Sequence, residues 1–110
     1  MLTFVESPSF TTTLAELWTD AEYAAFQQFL ATNPRRGDVI PGLGGLRKIR
    51  WAARGKGKRG GARVIYLLLL PPGVIYLFYA YTKGDISDLS SEQKKRLLAA
   101  VAEIKAQFQP

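Results

Sequence analysis

The sequence predicts one α+β domain over residues 1–110, ordered β-α-α-β-β-β-α around a small, mostly antiparallel sheet. Three observations predict it. The chain has 110 residues, which fits a single domain, since about 100–150 residues is the commonest size. Two strongly apolar runs, residues 62–70 (ARVIYLLLL) and 74–81 (VIYLFYAY), are separated by Pro71-Pro72-Gly73, and such a pair reads as an antiparallel hairpin. Helical periodicity with capping signals appears before and after that hairpin.

In chain order, Leu2–Val5 is short and apolar and reads as a strand ending at Glu6-Ser7-Pro8. Phe10, Leu14, Leu17 and Trp18 recur at helical spacing and predict a short amphipathic helix. Thr19-Asp20-Ala21-Glu22 has the form of a capping box, in which the hydroxyl accepts from the third amide while the glutamate reaches back. The helix it opens places Tyr23, Phe26, Phe29 and Leu30 toward a core and stops at Asn33-Pro34. Residues 35–45 (RRGDVIPGLGG) carry four glycines and read as a loop. They do not match a phosphate-binding loop, because no lysine followed by a hydroxyl residue closes the stretch.

Leu46–Ala53 alternates, with Ile49 and Trp51 on one face and Lys48 and Arg50 on the other. A loop, Arg54–Gly61, leads to residues 62–70, which are apolar on both faces and read as a central, buried strand. Ser90 and Gln93 form a second capping signal. Leu97, Val101, Ile104 and Phe108 then trace the apolar stripe of the last helix.

The charge pattern turns the argument toward function. The formal net charge is +6, yet nine of the fifteen basic residues and no acidic residue lie between Asp38 and Asp85. Outside that segment acidic residues outnumber basic ones. Concentrated positive charge creates a local field suited to nucleic acid, anionic lipid or acidic protein. The alternative is a solvated basic loop with no ligand. The absence of cysteine and histidine excludes disulfides, thiolate nucleophiles and every imidazole-based triad, dyad or metal site. The N-terminus lacks a signal segment and no run approaches a membrane span, so a cytoplasmic protein with no membrane partner and no metal or cofactor is expected.

Arg63 opens the most buried-looking strand, where a charge must be paired, face a cleft or snorkel to water. Lys56, Lys58 and Arg59 stand on the preceding loop, and Lys83 ends the next strand, so the hairpin brings Lys83 toward Arg63. Together with Lys48, Arg50 and Arg54 these groups suit a phosphodiester, because arginine binds phosphate oxygens bidentately and ammonium groups stabilise developing charge. Tyr79 and Tyr81, on the strand face of Lys83, offer rings for base stacking or for core packing.

The segment Gly44–Tyr66 (GGLRKIRWAARGKGKRGGARVIY), the later Tyr81-Thr82-Lys83-Gly84-Asp85 and the Ser87-Asp88-Leu89 stretch resemble a RelE/HigB-type toxin of a bacterial type II toxin–antitoxin system. The closest resemblance is to the HigB subgroup with a C-terminal helix. The resemblance covers essentially the whole chain, and the GKGKRGGAR run before a strand is its most specific part. It implies a RelE-like fold and ribosome-dependent endoribonuclease action on messenger RNA in the aminoacyl site, without metal. The ribose 2′-hydroxyl would attack the adjacent phosphate. It implies a HigA-like helix-turn-helix antitoxin as partner, beside the ribosome and its RNA. By the same resemblance Lys56, Lys58, Arg63 and Lys83 are catalytic, with Arg63 on the phosphate, Lys56 or Lys58 on the nucleophile and Lys83 on the leaving group. The RNA-binding set is Lys48, Arg50, Arg54, Arg59 and Tyr81. A tyrosine that some relatives carry in a C-terminal tail has no counterpart, because residues 90–108 read as a helix. The alternatives are a ParE-like toxin that inhibits DNA gyrase and a non-catalytic nucleic-acid-binding module.

Overall fold

A computed structural model of the chain describes residues 2–51, 61–82 and 90–108. Among these residues the order is β1 (Thr3–Glu6), α1 (Pro8–Leu17), α2 (Asp20–Thr32), β2 (Asp38–Val39), β3 (Arg47–Trp51), β4 (Ala62–Leu69), β5 (Val74–Tyr81) and α3 (Ser91–Phe108). The strands form one sheet in the order β1-β5-β4-β3-β2. β1 runs parallel to β5, and every other pairing is antiparallel. β4 is central, as its two apolar faces predict. None of the helices is long and apolar enough to cross a membrane among the described residues.

The two faces of the sheet are covered by different helices. α1 and α2 pack Phe10, Leu17, Phe26 and Leu30 against Ile49, Val64, Tyr66, Ile75 and Leu77. α3 packs Leu97 and Val101 against Leu43, Leu46, Leu67, Leu69 and Val74 on the opposite face. The starts of α2 and α3 are fixed as their sequence signals require. Thr19 and Glu22 make both bonds of the capping box at α2. At α3 the Ser90 hydroxyl accepts from the Gln93 amide while Gln93 accepts from the Ser90 amide.

One correction concerns residues 35–45, which read as loop but contain β2, an edge strand antiparallel to β3. Two residues cannot display a period-2 pattern, and both are exposed, so no burial signal marked them. The stretch is held by Tyr66, whose hydroxyl donates to the Pro34 carbonyl at 2.8 Å and accepts from the Gly37 amide at 2.9 Å. The ring lies so close that a Cβ at Gly37 would sit 2.7 Å from it, which explains the glycine. Tyr66→Phe would leave the buried Gly37 amide and the half-buried Pro34 carbonyl without this partner, so a loss of about 1–3 kcal/mol in stability is expected by urea titration.

Burial raises the Tyr66 hydroxyl above its ordinary range. Burial and then the hydrogen bond to Glu6 do the same for Tyr23, whose hydroxyl donates to Glu6 Oε2 at 2.6 Å. A raised phenol stays neutral in the folded state while the unfolded chain can ionise near pH 10. The stability these groups supply is therefore complete below about pH 10 and lost as pH rises beyond it. Thermal melts should show alkaline destabilisation that is shallower in Tyr66→Phe and Tyr23→Phe.

Candidate nucleic-acid interface

Register decides which basic residues meet. On β3 the alternation sends Ile49 and Trp51 to the α1/α2 face, where Trp51 packs against Phe26 and Phe29 with ring centroids 5.5 Å and 5.0 Å apart. Lys48 and Arg50 therefore stand on the α3 face. Arg50 lies directly opposite Arg63 and Lys48 opposite Ile65. Across the hairpin Arg63 faces Tyr81 and Ile65 faces Tyr79. Two parallel rows result, Arg50–Arg63–Tyr81 and Lys48–Ile65–Tyr79, at the end of the sheet where β4 begins and β5 ends.

The tyrosines reach this face because β5 carries a bulge. From Leu69↔Val74 to Tyr66↔Leu77 the register is regular, but Ile65 pairs with Tyr79, so Phe78 is an extra residue. A bulge leaves two residues of one strand opposite one of its partner and re-aims the side chains beyond it. Without it, period-2 alternation would put Tyr79 and Tyr81 with Ile75 and Leu77, against α1 and α2. With it, Phe78 stays buried in the α3-side core, and Tyr79 and Tyr81 stand beside the arginines. Ser7 ties the bulge down. Its amide donates to the Leu77 carbonyl at 2.9 Å, and its hydroxyl donates to the Phe78 carbonyl at 2.6 Å. The same hydroxyl oxygen accepts from the Phe10 amide at 3.0 Å and caps α1.

Arg63 is half-buried and its Nη1 donates to the Thr82 carbonyl at 3.1 Å. That bond orients the guanidinium along the end of β5, and among the described residues no carboxylate pairs with it. Like charges directly opposite each other on a sheet destabilise it. The register thus sets Arg50 and Arg63 opposite each other on neighbouring strands, and the described residues supply no neutralising anion beside them. An anionic ligand bridging the two would relieve that repulsion. Arg47, by contrast, points to the other face. Its Nη1 donates to the carbonyls of Gly37 and Arg35 at 2.8 Å and 3.1 Å, which makes it a brace of the β2 loop.

Of the residues expected from sequence, Lys48, Arg50, Arg63 and Tyr81 share one face of the sheet. Arg54, Lys56, Lys58, Arg59 and Lys83 lie outside the described residues. Sequence reading missed Ser7 as the anchor of the bulge, although Ser-Pro before an apolar helical pattern is a recognised helix start. Among the described residues no cluster of carboxylates could hold a metal ion.

No protein-family model matches the sequence. Among solved structures, a chain of the intact E. coli RelBE toxin–antitoxin complex is similar, with a TM-score of 0.58 and 12% sequence identity. The match covers 77% of this chain and 100% of that one. The chain has a RelE-like fold.

Proposed function

We propose that this protein is the toxin of a toxin–antitoxin pair, an endoribonuclease that cuts messenger RNA on the ribosome and so stops translation. The observation that carries the reading is the row Arg50–Arg63–Tyr81 on a RelE-like sheet. A fold alone hosts many functions, and this row supplies what phosphodiester chemistry needs. Arg63 binds the non-bridging oxygens of the scissile phosphate, held in place by its bond to the Thr82 carbonyl. Arg50 adds charge beside it, and Tyr81 borders the row.

In the proposed reaction the ribose 2′-oxygen attacks phosphorus and the bond to the 5′-oxygen breaks. The products are a 2′,3′-cyclic phosphate and a 5′-hydroxyl. The 2′-hydroxyl proton leaves to a base and another proton reaches the departing 5′-oxygen. Lys56 or Lys58 serves the nucleophile or the dianionic phosphorus, and Lys83 serves the leaving group, in keeping with their place in the resemblance. A lysine can act as base when neighbouring cations lower its pKa, and the basic segment supplies such neighbours. Arg54 and Arg59 extend the phosphate-binding surface. The partner in the cell is an antitoxin of the HigA-like, helix-turn-helix kind that neutralises the basic groove.

Induced expression tests the reading. Growth should stop, with messenger RNA broken and DNA gyrase still active. Growth arrest with intact messages and inhibited supercoiling would place the protein among gyrase inhibitors, and unimpeded growth would leave only a binding module. The antitoxin should bind more weakly when Lys56, Lys58 and Arg59 are reversed to glutamate, as measured by calorimetry. Unchanged affinity at all salt concentrations would place the docking surface elsewhere.

A further inference from the structure

The second row, Lys48–Ile65–Tyr79, lies two residues along the strands from the Arg50–Arg63–Tyr81 row on the same face. Its members differ in character from those of the first. Ile65 is completely buried between them, and it makes an apolar floor. Tyr79 is 40% exposed, a large aromatic ring left open to solvent. It is not a spare piece of core, because the bulge at Phe78 turns it away from the α1/α2 side, and the Phe78 ring lies beside it at a tilt of 43° with centroids 6.2 Å apart. Lys48 is half-buried on the far side of Ile65; Asp38 faces it across the β2–β3 pair, and no ion pair joins the two side chains.

We infer that Lys48 and Tyr79 form a subsite for the nucleotide adjoining the scissile phosphate, with its base stacked on Tyr79 and its phosphate held by Lys48. The inference rests on the functional reading above and extends it to how the strand is held. Two residues of antiparallel strand advance about 7 Å, comparable to the step between successive phosphates of an extended single strand. The rows can therefore take two consecutive nucleotides, one on guanidinium groups and one on an ammonium and a ring. Stacking tolerates any base, because every base has a π-face, so this subsite gives affinity and register rather than sequence preference. It also demands an unstacked strand. Bases paired inside a duplex cannot lie on Tyr79.

The test uses the full chain and a fluorescein-labelled hexauridylate, 2′-O-methylated so that it cannot be cut, with anisotropy read over a range of salt. Tyr79→Ala should weaken binding about 5- to 150-fold while leaving the salt slope unchanged, as expected for a lost base stack. Tyr79→Phe keeps the ring and should bind within about twofold of the parent, the stack being retained. Lys48→Ala should reduce the slope of log affinity against log salt by about 0.7, the signature of one phosphate contact on a single strand. Melting temperatures near the parent's should accompany each variant, since both side chains reach solvent, and Tyr79→Phe guards against a trivial folding defect. Tyr79→Ala binding as tightly as the parent, a parent that prefers the duplex, or a parent that binds no oligonucleotide at low salt would overturn the subsite. Failure of the nuclease reading is distinguishable. Messages left intact in cells, beside the expected pattern of oligonucleotide binding, would remove the enzyme and keep the subsite.

Discussion

Arg63→Ala is expected to abolish toxicity while the protein stays folded. Removing a donor that stabilises transition-state charge typically costs about 2.7–4 kcal/mol, or on the order of 10²–10³ in rate. Stability should change little, typically within about 1 kcal/mol at such a position, because Arg63 is half-buried at the second residue of β4 and its side chain's one bond is to the Thr82 carbonyl. Relief of the Arg50–Arg63 repulsion offsets part of even that loss. The variant should be soluble, melt near the parent temperature and permit growth when induced. Full toxicity in Arg63→Ala would remove this residue from the chemistry, and an unfolded variant would make it structural.

Ser7→Ala is expected to act on both stability and activity, from a residue that touches no substrate. Its hydroxyl caps α1 and holds the Phe78 carbonyl at the bulge. Loss of a cap costs about 0.5–2 kcal/mol, and a buried carbonyl left without its donor costs about 1–3 kcal/mol more. A combined loss of about 1.5–5 kcal/mol is therefore expected from urea titration. The bulge sets the facing of Tyr79 and Tyr81, so oligonucleotide affinity should also fall at temperatures where the variant is fully folded. Ser7→Thr keeps the hydroxyl and should recover most of both. A stability loss with parental affinity would mean that the bulge holds without Ser7.

The capping boxes at Thr19 and Ser90, the hairpin around Pro71-Pro72-Gly73 and the central place of β4 were legible because each is a local pattern. A cap is four residues long, and a doubly apolar run has few other homes in a small sheet. What was not legible depends on partners distant in sequence. β2 exists only because β3 lies beside it, and Gly37 is required only because the Tyr66 ring packs there. The same holds for the functional face. Alternation places Tyr79 and Tyr81 on a common side of β5, but which side depends on one extra residue at Phe78, and that register shift is fixed by pairing with β4 and by Ser7. Lys48 and Arg50 were readable as the wet face of β3. Their meeting with Arg63 follows from register alone.

The measurement that bears most directly on the account is the mapping of messenger RNA 5′ ends in a translating extract and in the same extract blocked before initiation. The proposed enzyme should produce new ends inside codons only where ribosomes translate, and Arg63→Ala should produce none at equal concentration. Ends that appear equally in both extracts, or protein synthesis that halts on an uncut message, would contradict it.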